Sequence, residues 1–208
     1  MLLDADDSQL VLVDYQIRLM PVIFENELVI ANALRLARMA RALQLPVWGT
    51  AQSPDELGQN LPELQAAIDA AGGKTLAKTH FNAAADGLGD WLRPPVRKPS
   101  SGGGNARSLP KHLQKTAPEE EVGRSTIVIA GCEAHVCLMQ TALGLLEEEF
   151  EVWVVTDACS SRSERNRDAA FDRLAGNGAE LVTTEMVAFE WLRTSEHPAF
   201  KEVLGLVK

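Results

Sequence analysis

The feature that most constrains the fold of this chain is a regular alternation between short apolar runs and segments of helix length. The runs are rich in Val, Leu and Ile, which is typical of strands that are covered on both faces in a parallel sheet. They predict six strands, at residues 9–14, 47–50, 74–77, 125–131, 151–157 and 180–183.

Segments of helix length separate these strands. They predict helices at residues 26–44, 62–71, 83–92, 136–149, 163–174 and 184–192, and a further helix in the tail from residue 197. Strands joined through helices form right-handed βαβ units, and helices then cover both faces of the sheet. The predicted fold class is therefore α/β, a three-layer sandwich with a mainly parallel, six-stranded, doubly wound sheet.

One Pro/Gly-rich stretch, residues 93–123, interrupts the alternation. A short helix is predicted at residues 108–115, which would divide the stretch into two shorter loops. A domain boundary is the alternative interpretation, but neither flank has the length or the core of a separate stable domain. We expect a single domain over residues 1–208, with an insertion at about residues 93–123.

Composition and charge narrow the class of protein. The 208 residues are 46% hydrophobic and 24% charged, so the chain has the apolar content of a globular protein with a core. The net charge of −9 argues against binding to nucleic acid or to an anionic membrane surface. The longest apolar runs fall far short of the ~18 residues that indicate a membrane span.

Two features bear on the cellular location. The N-terminal residues are acidic and lack a basic region, so no signal peptide is expected. Three cysteines are an odd number, which favours free thiols over a disulfide framework. We therefore expect a cytoplasmic protein.

Three side chains with reactive chemistry follow predicted strands. Asp14 follows the first strand, Lys78 ends the third, and Cys137 lies a short turn after the fourth. Taken singly, they have ordinary interpretations as a helix cap, a solvated side chain and core packing. Because the carboxyl ends of parallel strands share the edge where ligands bind, we expect the three side chains to converge there.

Cys137 is the candidate nucleophile among them. It lies near the start of a predicted helix, where the helix dipole and the Lys78 ammonium would favour its thiolate form. Asp14 would take the thiol proton and pass it to the leaving group. Gly131 would let the backbone approach a ligand closely, and the turn that follows it would aim N–H groups at an oxyanion.

Three segments carry a resemblance to a known family: VLVDYQ around Asp14, LAKTHF around Lys78 and IVIAGCEAHVCLMQTALGLLEE around Cys137. Together they resemble the isochorismatase-like cysteine hydrolases, the superfamily that includes nicotinamidase and N-carbamoylsarcosine amidase. TDACSSRS and TTEMVAFEWL also resemble the small isochorismatase-domain proteins of largely unassigned substrate. The resemblance covers most of the chain except residues 93–123.

The resemblance implies a catalytic triad of Asp14, Lys78 and Cys137. In the family the cysteine of such a triad attacks an amide-type carbonyl and forms a thioester intermediate, which water then hydrolyses. We expect no cofactor in this chain.

The resemblance also implies a cis peptide bond in the turn before the nucleophile, between Cys132 and Glu133. In the family this bond helps to point N–H groups into the oxyanion hole. The candidate donors here are the N–H groups of Cys137 and of Glu133 or Ala134.

The sequence departs from two branches of the superfamily. Residues 49–60, GTAQSPDELGQN, hold no histidine where nicotinamidases carry a metal site, so no metal is expected. True isochorismate hydrolases attack a vinyl ether and do not keep the nucleophilic cysteine, so Cys137 favours hydrolysis of a carbonyl compound. The turn after the first strand has no glycine, which argues against a dinucleotide-binding protein.

Several residues near predicted strand ends are candidates to line a pocket: Tyr15, Gln16, Trp48, Gln52, His80 and Phe81. We select Gln16 and Phe81 from this group as the substrate-binding candidates.

The leading hypothesis is a metal-independent cysteine hydrolase of small amide-like substrates. The alternatives are a catalytically inactive binding or assembly module on the same fold and a nucleotide-dependent oxidoreductase. The expected partner is a small-molecule substrate, with neither nucleic acid nor membrane. The resemblance and the apolar C-terminal helices also favour a homo-oligomer, a dimer or higher.

Overall fold

The computed structural model describes residues 1–93 and 123–208. Six strands in these ranges form one sheet in which all neighbouring strands are parallel. They are β1 (Ser8–Val13), β2 (Val47–Gln52), β3 (Lys74–Lys78), β4 (Thr126–Gly131), β5 (Glu151–Val155) and β6 (Glu180–Val182). Each corresponds to one predicted strand, and the α/β fold class with a parallel doubly wound sheet is confirmed.

Helices connect the strands and pack in two groups. They are α1 (Asn26–Ala42), α2 (Pro54–Leu57), α3 (Pro62–Ala70), α4 (Leu88–Leu92), α5 (Met139–Glu147), α6 (Glu164–Gly176), α7 (Thr184–Leu192) and α8 (Phe200–Val207). Helix α1 packs against α3, α7 and α8, whereas α5 packs against α6 and against the 3-10 segment Ala83–Asp86.

Two of the helix predictions differ from the structure. Residues 83–92 form the 3-10 segment Ala83–Asp86 and the short helix α4 rather than one helix, because Gly87 between them has φ +90°, outside the helical region. The helix predicted at residues 136–149 begins earlier, with the π-helical turn Ala134–Leu138, and continues as α5. The helix predicted at residues 108–115, and most of the insertion with it, lies outside the described residues.

The strand order β3-β2-β1-β4-β5-β6 places the first strand beside the fourth. The chain builds outward from β1 in one direction and then crosses back to build in the other, so the order reverses between β1 and β4, the place where sheets of this kind bind ligands at their carboxyl ends. Val13 and Gly131 are register partners at these ends. A Cβ on Gly131 would collide with the Val13 carbonyl oxygen, so this close approach requires glycine.

The core of the protein surrounds the two central strands. Every residue of β1 and β4 is buried, and Val11, Val128 and Ile129 are completely inaccessible. Burial of a Val, Leu or Ile side chain contributes about 1.5–3 kcal/mol to stability. The residues that follow these two strands therefore start from rigidly held backbone.

No helix within the described parts of the chain is both long enough and apolar enough to cross a membrane. The single-domain organisation and the cytoplasmic location stay predictions.

Candidate active site

The candidate site lies at the carboxyl edge of the sheet, where three strands each contribute one side chain. Asp14 directly follows β1 and adopts a left-handed backbone conformation with φ +55°, which Asp tolerates better than most residues. Lys78 is the last residue of β3, and Cys137 lies in the π-helical turn that follows β4. The structure brings these three predicted residues together.

Asp14 and Lys78 form a buried ion pair at the centre of the site. Lys78 Nζ lies 2.8 Å from Asp14 Oδ2, and neither side chain is exposed. The other carboxylate oxygen, Oδ1, accepts a hydrogen bond of 2.6 Å from Thr50 Oγ1. Among the described residues no well-aligned hydrogen bond reaches Oδ2, so this oxygen keeps the capacity to accept a proton.

The three N–H groups of the Lys78 ammonium have other acceptors. Nζ donates to Gln52 Oε1 at 2.7 Å, to the carbonyl oxygen of His80 at 3.3 Å and to that of Phe81 at 3.4 Å. An ammonium has three donors and no acceptor. Its hydrogen-bonding capacity is therefore used by these three groups, while its contact with Asp14 is an attraction of charges.

Cys137 lies beside this ion pair, and its side chain is nearly buried. The residue is 6% exposed, and its Sγ lies 3.9 Å from Gln52 Oε1. Burial and then the negative charge of Asp14 raise the pKa of the Cys137 thiol to about 12, although Lys78 acts in the opposite direction. Lys78 favours the thiolate, as expected, but desolvation and Asp14 outweigh the ammonium. The thiol needs a base to become a nucleophile.

The turn before Cys137 contains the cis peptide bond between Cys132 and Glu133, at the position that the family resemblance implies. The N–H of Ala134 donates to the carbonyl oxygen of Ser160 at 2.8 Å, so it is not available for an oxyanion. The N–H groups of Glu133 and Cys137 stay as the candidate donors. Cys132 itself is completely buried.

The side chain of Glu133 anchors this turn from outside. Its Oε2 accepts hydrogen bonds from the backbone N of Arg162 at 2.9 Å and from Arg162 Nε at 3.0 Å. The Arg162 side chain is largely exposed, so the ion pair is at the surface and adds little stability by itself. It holds in place the turn that carries the candidate N–H donors.

The two predicted substrate-binding residues have different positions. Gln16 is completely buried, and its Nε2 donates to the carbonyl oxygens of Gln52 at 2.8 Å and of Gly58 at 2.6 Å. It lies behind the site and supports Gln52 rather than facing a substrate. Phe81 lies at the rim of the site and is 50% exposed, and its carbonyl oxygen accepts a hydrogen bond from Lys78 Nζ.

Gln52 is the site residue that the sequence did not single out from its neighbours. Its amide oxygen contacts both Lys78 and Cys137, as given above. Its only signal in the sequence was a polar residue near the C-terminal end of a predicted strand, which several other residues shared.

Two surface grooves, of about 400 Å³ and about 280 Å³, lie away from the triad. The first follows α7 beside Met186 and Phe189, and the second lies along β5 and β6 near Phe150. Neither groove is lined by a triad residue, so the chemistry of the side chains, rather than the size of a cavity, identifies the site. Within residues 1–93 and 123–208, no group of three or more His, Cys, Asp or Glu side chains is arranged to hold a metal ion.

Comparison with known proteins identifies the family of the chain. The isochorismatase domain matches residues 8–186 of the chain. The chain belongs to the isochorismatase family. Isochorismatase domain-containing protein 2A of Mus musculus is 31% identical over 203 residues, which cover 98% of this chain and 84% of that relative.

Solved structures of the isochorismatase fold superpose on almost the whole chain. The MAR1 ribonuclease of Caenorhabditis elegans has a TM-score of 0.82 and 29% identity, and the match covers 100% of this chain and 92% of that one. The YcaC gene product of Escherichia coli, described as an octameric hydrolase of unknown specificity, has a TM-score of 0.74 and 26% identity, with 99% and 95% covered.

Proposed function

We propose that this isochorismatase-family protein is a metal-independent cysteine hydrolase that cleaves a C–N bond in a small amide-like substrate. The observation that carries the proposal is the convergence of a carboxylate, an ammonium and a thiol, from Asp14, Lys78 and Cys137, at one sheet edge. These groups supply a base, a fixed positive charge and a nucleophile.

The first half of the reaction forms a thioester. Asp14 takes the proton from the Cys137 thiol, and the sulfur attacks the substrate carbonyl carbon. The N–H groups of Glu133 and Cys137 stabilise the negative charge that develops on the carbonyl oxygen. Asp14 then gives its proton to the leaving nitrogen, and the C–N bond breaks.

The second half releases the acyl group. Asp14, which is again ionised, takes a proton from a water molecule, and the resulting hydroxide attacks the thioester carbon. The Cys137 sulfur leaves and regains a proton from Asp14. The Lys78 ammonium offsets one negative charge at each step. That charge is on the Asp14 carboxylate before the proton transfer and on the Cys137 sulfur after it.

We also propose that the protein acts as a homo-oligomer on a small molecule rather than on RNA. The octameric state of the Escherichia coli relative supports an assembly of two or more copies. The Caenorhabditis elegans relative is named a ribonuclease. This chain carries a net charge of −9, which opposes binding of a polyphosphate chain. Light scattering that gives a monomeric mass would contradict the assembly.

The function is tested by comparing the wild-type protein with Cys137→Ala. Small amides and ureas are screened for ammonia release, and labelling by iodoacetamide is located by mass spectrometry of peptides. We expect Cys137→Ala to lose both hydrolysis and labelling. Cys159→Ser replaces another buried thiol but keeps an acceptor for the Gly131 N–H, and it is the matched control, which should keep both. Hydrolysis that persists in Cys137→Ala would refute the proposal. An unreactive Cys137 without turnover would favour the inactive binding module.

A further inference from the structure

Gln52 ends β2 and is the register partner of Lys78 on β3. Its side chain crosses from one strand end toward the other components of the site, where Oε1 lies 2.7 Å from Lys78 Nζ and 3.9 Å from Cys137 Sγ. The opposite end of the amide is also held, because Nε2 donates to the carbonyl oxygen of Thr79 at 2.8 Å. The amide group is therefore fixed with its oxygen toward the ammonium.

The backbone of Gln52 is held just as firmly. Gln16 Oε1 accepts from the Gln52 N–H at 3.0 Å, and Gln16 Nε2 donates to the Gln52 carbonyl oxygen at 2.8 Å. Both glutamines are buried. One buried side chain thus satisfies both main-chain groups of Gln52 and sets where its amide points.

The contact with Gln52 decides how the Lys78 ammonium is turned. The three N–H groups of Lys78 are directed at Gln52 Oε1 and at the carbonyl oxygens of His80 and Phe81. Asp14 Oδ2 is only 2.8 Å from Nζ, yet it receives no well-aligned hydrogen bond from the described residues. If the Gln52 oxygen were removed, one buried N–H would lose its acceptor, and Oδ2 would be the nearest replacement.

We propose that Gln52 is a positioning residue, which turns the Lys78 ammonium so that Asp14 Oδ2 stays open to the proton of Cys137. In that transfer the S–H bond breaks and an O–H bond forms on Oδ2, with no other reactant. A hydrogen bond from Lys78 to Oδ2 would favour the ionised carboxylate and make it a weaker base. This inference rests on the proposed function, since it concerns the same proton transfer.

The test measures the rate at which iodoacetamide alkylates Cys137 as a function of pH. Full-length wild type is compared with Gln52→Met, which keeps the side-chain length but lacks the amide. Since a weaker base both holds its proton less well and removes the thiol proton less well, two readouts should change together. We expect alkylation to slow about tenfold on its plateau and the acid limb of the profile to move about one unit to lower pH.

Two further variants separate positioning from packing. Gln52→Glu keeps an oxygen acceptor for Lys78, so its acid limb should not move to lower pH. Gln65→Met replaces a glutamine that bonds to Thr75 and Asp69 away from the site, and its profile should match wild type. A merely structural role for Gln52 would reduce the amount of folded protein without moving the acid limb.

An acid limb that stays in place in folded Gln52→Met would overturn the inference. If that variant does not fold, Gln16→Met decides, because it releases the backbone of an unchanged Gln52 and should shift the limb in the same direction. A shifted limb in a protein that hydrolyses no amide would support the positioning role and refute the proposed function. Hydrolysis that depends on Cys137, with no shift of the acid limb in Gln52→Met, would support the proposed function and refute the positioning role.

Discussion

Asp14 and Lys78 lie 2.8 Å apart with both side chains completely buried. Two charges taken out of water are tolerated only when each compensates the other and other polar groups complete their hydrogen bonds. Thr50 provides one such bond to Asp14, and Gln52 provides another to Lys78. The same ion pair contributes to the stability of the fold and to the proposed chemistry. Different substitutions of Asp14 and Lys78 therefore test the two contributions.

The first prediction concerns stability. Lys78→Met leaves the Asp14 carboxylate buried without its partner, and we expect it to lower the free energy of unfolding by about 3–5 kcal/mol. The double variant Asp14→Asn with Lys78→Met should recover part of this loss, since no isolated charge remains. Urea denaturation measures all three proteins. Lys74→Met, at the exposed start of the same strand, is the control and should change stability little. Equal stability of Lys78→Met and wild type would show that the ion pair is not buried in solution.

The second prediction separates thiol reactivity from turnover. Burial, and then the charge of Asp14, raise the pKa of the Cys137 thiol to about 12. Asp14→Asn removes the charge and leaves Lys78, so the thiol pKa should fall, while burial still holds it above its ordinary value. Because Asn cannot take the thiol proton, alkylation by iodoacetamide should then require direct ionisation of the thiol, so the acid limb of its pH profile should move up to the thiol pKa.

Hydrolysis should not recover at high pH in the way that alkylation does. Without a base to move the proton to the leaving nitrogen, we expect ammonia release by Asp14→Asn to fall by about 10²–10⁴-fold. An acid limb of alkylation that stays in place in a folded Asp14→Asn would mean that Asp14 supports the geometry rather than the proton transfer.

Much of the site follows from the sequence because of one geometric rule. Parallel strands end at a common edge, so Asp14, Lys78 and Cys137 were placed together from their positions after apolar runs. The rule needs only the strands, and these were visible because buried parallel strands are almost continuously apolar.

The parts that were missed depend on contacts that no single segment encodes. The second strand was predicted to end at residue 50, but pairing with β3 extends it to Gln52, opposite Lys78. Polar residues in a strand give no apolar signal, so neither that extension nor the reach of the Gln52 amide was predictable. The pKa of the Cys137 thiol was not predictable either, because it depends on burial and on the summed effect of two opposite charges.

The third prediction tests the close approach of the two central strands. Gly131→Ala would bring a Cβ against the Val13 carbonyl oxygen in a rigid part of the sheet. Overpacking of this kind costs about 1–3 kcal/mol, and relief of the clash would move the turn that leads to Cys137. We expect reduced stability and slower alkylation of Cys137 together. Gly176→Ala is the control, because a Cβ there meets no atom within 4 Å. A fully active, equally stable Gly131→Ala would contradict the packing argument.

The fourth prediction concerns acid stability at the other end of the sheet. Asp7 accepts hydrogen bonds from the Ser125 N–H and hydroxyl and from the Thr126 hydroxyl, which ties the entry of β1 to that of β4. Partial burial acts to raise the pKa of Asp7, but these hydrogen bonds and the Arg124 charge outweigh it, so the pKa is lowered from 3.8. The charged form is therefore favoured by folding.

The sign of the pH effect follows from this shift. A carboxyl group with a lowered pKa in the folded state stabilises the protein above its unfolded pKa, and the stabilisation is lost as the pH falls below 3.8 through the folded value. Asp7→Asn should be less stable than wild type near neutral pH, and the difference should shrink on acidification in urea titrations. Asp6→Asn, at the exposed neighbouring position, should follow wild type at every pH. A difference between Asp7→Asn and wild type that stays constant across this range would mean that hydrogen bonding to Asp7 does not depend on its charge.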